Sequence, residues 1–380
     1  MSLSLFSRRD FSRTIGRSFA LAFAGPRLSA LLAAERPAEA AGGAIRLNAN
    51  ENPYGPSPKA LEALAGCGST AGRYPDPVLP RMREAIARSH GVKPENILLG
   101  CGSSEILRVA DLAFLAPGQN VVAAEPTFEA VLSYARVTRA EAVKVPLTAD
   151  HRHDLPRMAA ACTSKTALVY VCNPNNPTGT VVHREEMKEF VERVPPATLI
   201  LVDEAYYHFP DDPDYSSVID WIGQHPNLVV ARTFSKVYGL AGMRLGYGVA
   251  TKETIERMGR HTIWDNCNAG VLPAALASLG DADYVESCRS RLNGSRRWLV
   301  DQLPKDGRRC TDSQTNFVMI DLGSDVEPVI EQFKKRNILV GRRFPSMSNF
   351  LRVSIGTQPE METFLAALRE IAPARESRAA

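Results

Sequence analysis

Paired cysteines are the first thing this 380-residue chain lacks. Its seven cysteines (67, 101, 162, 172, 267, 288 and 310) include no C-x-x-C spacing. An odd, scattered set excludes a disulfide framework and a cysteine-ligated zinc site. H-E-x-x-H and G-x-x-x-x-G-K-[ST] are also absent, and no ligand spacing links the seven histidines. Internal repeats and low-complexity tracts are missing, and no apolar run reaches the ~18 residues of a membrane-spanning helix. Charge of one sign is scarce. The net charge of +3 sits entirely in residues 1–40, where six arginines face three acids. The rest is neutral, so nothing supports a nucleic-acid partner electrostatically. The whole chain is 44% hydrophobic and 23% charged, the composition of a globular protein.

Residues 1–40 read as a leader. Arg8-Arg9 and Phe11 precede an apolar stretch from Ser18 to Ala34, and Ala38-Glu39-Ala40 supplies an A-x-A cleavage site. This layout resembles a twin-arginine signal and predicts a periplasmic protein. The alternative is an amphipathic arm on a cytoplasmic protein. The scattered cysteines weigh on that side, although a pathway exporting folded, cofactor-loaded protein would tolerate them.

Apolar runs then alternate with amphipathic segments. Strands are expected at Asn96–Leu99, Asn120–Ala124, Ala142–Val145, Ala167–Cys172, Thr198–Val202, Leu228–Ala231 and Leu245–Ala250. Several are continuous apolar runs, as in a sheet covered on both faces. Helices are expected at Lys59–Ala65, Leu79–His90, Ser103–Leu115 and Thr127–Thr138. Past about Ala282 a long helix (Asp283–Leu303) leads into strands at Asn316–Ile320 and Phe350–Ser354, with helices near Val326–Arg336 and from Pro359 to Ile371. The pattern predicts an α/β fold. An arm (41–57) precedes a large three-layer domain with a mostly parallel sheet (58–282), and a smaller α+β domain follows (283–380).

In such a sheet, ligands gather at the carboxyl ends of the strands. Gly100-Cys101-Gly102-Ser103-Ser104 opens a helix there, a place where backbone N–H groups can hold a phosphate. Asn173-Pro174-Asn175-Asn176-Pro177-Thr178-Gly179 presents amides. Asp203-Glu204-Ala205-Tyr206 puts an acid and a phenol after a strand. Thr233-Phe234-Ser235-Lys236 follows another strand, with Arg244 eight residues on. Together they match the needs of pyridoxal phosphate. Lys236 is an amine for a Schiff base and Asp203 a carboxylate for the pyridine nitrogen. Asn176 and Tyr206 are donors for the ring oxygen. Gly102, Ser103, Ser104, Thr233, Ser235 and Arg244 form a phosphate cup. Each piece alone is weak, but their joint order at successive strand ends is hard to reach by chance.

On these residues the chain resembles the fold-type I, pyridoxal-phosphate-dependent aminotransferases, and within them the histidinol-phosphate aminotransferase group, over about residues 44–372. The most specific stretches are LNANENPYGPSP (Leu47–Pro58), Arg73-Tyr74-Pro75-Asp76, the N-P-N-N-P-T-G turn and LRVSIGT (Leu351–Thr357). The resemblance implies a homodimer with shared active sites, in which Lys236, Asp203 and Tyr206 are catalytic. It implies that Phe128 stacks on the cofactor ring and that Tyr74 reaches the phosphate in the neighbouring subunit. Tyr54 would approach the substrate across the same interface, and Asn176 and Arg352 would contact it. Arg342, in Gly341-Arg342-Arg343-Phe344-Pro345, stands in a loop that departs from the histidinol-phosphate pattern and could take a phosphate or a second carboxylate.

The implied reaction moves an amino group from histidinol phosphate or an L-amino acid to a 2-oxo acid such as 2-oxoglutarate. A phosphoamino-acid decarboxylase of the same fold is the near alternative. An NAD-dependent dehydrogenase is the distant one. Gly100-x-Gly102 and Glu125 imitate the dinucleotide fingerprint, but Glu105 stands where its third glycine belongs. That reading also leaves Lys236, Asp203 and Asn176 without a task.

Overall fold

The computed structural model describes residues 43–373. The expected twin-arginine leader lies outside the described residues. From Ala44 the chain forms one compact unit. Its strands are β1 (Ile45–Leu47), β2 (Ile97–Gly100), β3 (Asn120–Glu125), β4 (Glu141–Pro146), β5 (Thr166–Cys172), β6 (Leu199–Asp203), β7 (Leu228–Thr233), β8 (Gly246–Val249), β9 (Arg309–Cys310), β10 (Phe317–Asp321), β11 (Ile338–Val340) and β12 (Phe350–Ser354).

Seven of these build the main sheet in the order β2-β8-β7-β6-β5-β3-β4. Strands β4, β3, β5, β6 and β7 run parallel, and β8 is antiparallel to both of its neighbours. The apolar runs of β5, β6 and β7 are buried along almost their whole length, as a sheet with helices on both faces requires. Two hydrophobic clusters fill the space on its two sides. Val169, Val171, Ile200 and Val202 point into one, and Leu168, Tyr170, Leu199 and Leu201 into the other. This is the period-two alternation of a strand.

Local signals account for the helix ends. Ser57 accepts from the Ala60 N–H at 3.1 Å and Pro58 occupies the first turn of the Pro58–Gly66 helix. The Leu79–His90 helix stops at Gly91, whose φ of +65° suits a residue without a Cβ. The expected helix over Thr127–Thr138 is shorter, Ala130–Ala135. Its first residues form a turn instead, pinned by a 2.9 Å hydrogen bond from Thr127 Oγ1 to Asn175 Oδ1, and Phe128 is on that turn.

Beyond the main sheet, β12, β10 and β9 make an antiparallel three-stranded sheet. The first described strand, β1, pairs in parallel with β11. Sequence patterning missed β1, β9 and β11, which are two or three residues long, too short to show any period.

Candidate active site

The carboxyl ends of β5, β6 and β7 open on one cavity of about 540 Å³. Its wall includes Ser103, Ser104, Phe128, Asn176, Asp203, Tyr206, Thr233, Ser235, Lys236, Arg244, Arg342 and Arg352. All twelve are sequence-derived candidates, drawn from segments as far apart as 103 and 352.

Asp203 ends β6 and is 2% exposed. Tyr170 Oη donates to its Oδ2 at 3.0 Å and the Ala205 N–H to its Oδ1 at 3.1 Å. Burial nevertheless dominates and raises its pKa to about 6, against the pull of those donors. The carboxylate is thus costly on its own and gains from a positive partner. Next in sequence, Glu204 is already satisfied. Arg232 donates to its Oε2 from Nε at 3.0 Å and from Nη2 at 2.6 Å, and the Val218 N–H bonds Oε1 at 2.9 Å. Of two adjacent buried acids, only Asp203 faces the cavity without a cation paired to it.

Lys236 Nζ lies 5.4 Å from the centre of the Tyr206 ring, and its one hydrogen bond is a long 3.5 Å contact to the Ala49 carbonyl. Burial, helped by the positive charge of Arg352, lowers its pKa to about 8. A sizeable fraction of the amine is therefore neutral near physiological pH.

An anion cup closes one end of the cavity. Gly102, at φ +77°, precedes the Ser103–Phe114 helix, and no side chain caps that helix. Among the described residues, no acceptor takes the N–H groups of Ser103 or Ser104, which leaves two helix-terminal donors for a ligand. A Cβ on Gly102 would sit 2.2 Å from Arg244 Nη2. Glycine there is what lets the guanidinium come so close to the start of the helix. Arg244 Nη1 also donates to Ser235 Oγ at 3.2 Å, and Thr233 Oγ1 to Ser235 Oγ at 2.9 Å.

Elsewhere in the wall, Arg352 Nη1 donates to Asn176 Oδ1 at 2.7 Å and Nη2 to the Asn48 carbonyl at 3.0 Å. Its Nε is buried and unpartnered. Arg342 reaches the same cavity with its charge engaged by Glu129 at 2.7 Å and its guanidinium 4.3 Å from the Phe344 ring centre.

Three candidates are not in this wall. Gly102 shapes the cup without lining it. Tyr54 stands under the Arg291 guanidinium at 3.6 Å, and Tyr74 is 71% exposed. Sequence reasoning passed over Asn50 and Glu51 in the arm, Thr127 in the turn after β3, and Gly246. A Cβ on Gly246 would meet Ser103 N at 2.2 Å, so that glycine lets β8 pack against the cup.

An amine, an unpaired buried acid and an anion cup at the strand ends of an α/β sheet define a site for an organic phosphate bearing a carbonyl. They fit the expected cofactor. Residues 43–368 match the model of the family "Aminotransferase class I and II", and the chain belongs to that family. A histidinol-phosphate aminotransferase of Moorella thermoacetica is 40% identical over 330 residues, 86% of this chain and 85% of that protein. One from Brevibacillus brevis is 39% identical, over 86% of this chain and 90% of the relative. The solved structure of histidinol-phosphate aminotransferase from Sinorhizobium meliloti, in complex with pyridoxal-5'-phosphate, superposes with a TM-score of 0.83 at 29% identity. The match covers 98% of this chain and 99% of that one. The expected α/β fold of the type I aminotransferases is the one observed.

Proposed function

We propose that this chain is a pyridoxal-phosphate-dependent aminotransferase. It takes an amino group from histidinol phosphate or an L-amino acid and passes it to a 2-oxo acid such as 2-oxoglutarate. The observation that carries the reading is the meeting of Lys236, Asp203 and the Gly102–Ser104/Arg244 cup on one cavity. Relatives named histidinol-phosphate aminotransferases, at up to 40% identity, support the choice of donor.

When bound, pyridoxal phosphate supplies an electron sink for the negative charge left at the substrate's α-carbon. Lys236, Asp203, Tyr206, Asn176, Phe128 and the cup would hold it. Asp203 would keep a proton on the pyridine nitrogen, an ion pair that also relieves the cost of its own burial. The Tyr206 hydroxyl and the Asn176 amide would bond the ring oxygen, and Phe128 would cover a ring face. The N–H groups of Ser103 and Ser104, with Thr233, Ser235 and Arg244, would bind the phosphate dianion. Lys236 Nζ would carry the proton from the substrate's α-carbon, a task suited to an amine with a pKa near the working pH. Arg352 would take the substrate's anionic group in its planar fork, with its free Nε–H still to be satisfied.

The proposal includes a homodimer with shared sites. Tyr74, Ile263 and Trp264 are 71%, 61% and 90% exposed, an unusual display of large side chains. Ile263 and Trp264 border the same shallow recess as Pro75, next to Tyr74. Tyr74 would serve the neighbour's phosphate and Tyr54 the neighbour's substrate. The proposal also keeps the twin-arginine leader as an export signal, to be tested by periplasmic fractionation of wild-type and Arg8→Lys/Arg9→Lys chains.

The test of function is a panel of amino donors, histidinol phosphate among them, incubated with 2-oxoglutarate while glutamate and CO₂ are both measured. Glutamate formation supports amino transfer. CO₂ release from phosphoamino acids without glutamate overturns it in favour of decarboxylation. For the shared site, Tyr74→Asp chains are mixed with Lys236→Ala chains. A hybrid with one intact site should recover up to about half the wild-type activity if sites act independently. No recovery, or a monomer by sedimentation, removes the claim.

A further inference from the structure

The arm carries a residue to which neither the mechanism above nor the relatives' names assign a part. Asn50 is 2% exposed, follows β1 by three residues, and has φ +54°, a left-handed conformation that asparagine tolerates better than other residues with a side chain. Its amide is held at both ends. Ser354 Oγ, at the end of β12, accepts from the Asn50 backbone N–H at 2.8 Å and donates to Asn50 Oδ1 at 3.0 Å. Asn316 Nδ2 donates to the Asn50 carbonyl at 3.1 Å. With Oδ1 turned to Ser354, the NH₂ end is directed at Tyr206 and donates to its hydroxyl at 3.1 Å.

A phenol that accepts from one side must send its own proton to another. Tyr206 is buried, and the cavity it lines is the place for that proton to go. We infer that Asn50 is a positioning residue that fixes Tyr206 as a hydrogen-bond donor toward the cofactor's ring oxygen, its own amide being locked in that sense by Ser354. This deepens the proposed function and rests on it. The carboxylate isostere would do the opposite. Aspartate at position 50 could only accept, and would draw the Tyr206 proton away from the cavity.

The consequence is read on the bound cofactor's colour. A donor to the ring oxygen thins the negative charge that helps hold a proton on Lys236 Nζ. Losing that donation makes the proton harder to remove, so the pH midpoint of the absorbance change rises. For one hydrogen bond the rise is about one pH unit. The experiment titrates the loaded wild-type enzyme, Asn50→Asp, Asn50→Gly, Tyr206→Phe and the double variant Asn50→Asp/Tyr206→Phe, with the cofactor dissociation constant measured alongside.

Expected results are an upward shift in Tyr206→Phe, a similar shift in Asn50→Asp, a smaller one in Asn50→Gly, and none beyond Tyr206→Phe in the double variant. If Asn50→Asp does not fold, Ser354→Ala frees the amide to flip and should shift the midpoint the same way, less far. If the shift from Asn50→Asp persists undiminished without the Tyr206 hydroxyl, the residue acts through charge and the inference fails. It fails equally if Tyr206→Phe moves the midpoint while both Asn50→Asp and Ser354→Ala leave it in place. If Tyr206→Phe itself leaves the midpoint unmoved, the fault lies in the tyrosine's proposed role, and the inference falls with it.

Discussion

Arg352 and Asn176, from β12 and the turn after β5, are joined in the cavity wall by a 2.7 Å hydrogen bond from Nη1 to Oδ1. The bond holds a substrate-facing guanidinium and a cofactor-facing amide in fixed relation before either ligand arrives. Arg352→Gln should raise the KM for the amino donor by about 10- to 100-fold, the worth of a charge-assisted hydrogen bond to the substrate's anion. Lysine should rescue poorly, because a single ammonium cannot keep Asn176 and the Asn48 carbonyl while gripping an anion. Steady-state kinetics with both variants checks this.

Lys236→Ala should leave no cofactor attached to the chain after borohydride reduction, by mass spectrometry, and almost no turnover. In the wild-type apo chain, attachment needs the neutral amine. Burial first, and Arg352 second, lower the amine's pKa from 10.5 to about 8. The rate of attachment should therefore rise about tenfold per pH unit below pH 8 and level off above it. In Arg352→Gln the second largest of the lowering causes is gone, so the break should move to higher pH.

Asp203→Asn should retain the cofactor through the cup and the ring contacts yet react slowly. Losing one partner of a buried ion pair costs roughly 3–5 kcal/mol, or about 100- to 1000-fold and more in rate. Wild-type cofactor content with unchanged turnover would contradict the role given to Asp203. In the apo chain its pKa is raised from 3.8 to about 6, so the carboxyl is protonated below pH 6 and charged above. The pH dependence of cofactor affinity should bend near 6 in the wild type, and Asp203→Asn should lack that bend.

A stability prediction comes from Asp111 on the Ser103–Phe114 helix, which is 0% exposed with both carboxylate oxygens unpartnered. Burial raises its pKa from 3.8 to about 8. The folded chain therefore holds a proton that the unfolded chain releases above about pH 4. The group costs nothing below that, and the cost grows until about pH 8, to the order of a few kcal/mol. Asp111→Asn should come closest to the wild type in thermal melts at pH 4 or below and be more stable at pH 8–9.

Much of the site was legible because its pieces follow strands whose apolar runs announce themselves. Asp203, Thr233 and the Gly102 turn each stand at or next to the end of such a run, and topology alone brings those ends together. Asn50 was not legible. Its bond to Tyr206 spans 156 positions, and its strand, β1, is three residues long. The stretch around it was read for its family resemblance and for Tyr54, which in the single chain lies against Arg291 instead. The helix expected over Thr127–Thr138 begins late, at Ala130, for a related reason. Helical periodicity cannot foresee that Thr127 bonds Asn175, far along the chain, and holds its neighbours in a turn.

The pairing of β1 with β11 has a bearing on how the molecule is made. Residues 45–47 leave the ribosome long before their partners at 338–340 are made. Asn50, just beyond, waits still longer, for Ser354 of β12. Until then the wall that Ala49, Asn50 and Glu51 provide lacks the partner that holds it. A chain lacking β11 and β12 would thus lack the wall that completes the cavity around Lys236 and the phosphate cup. The complete cavity is a property of a chain made through β12, not of the main sheet alone.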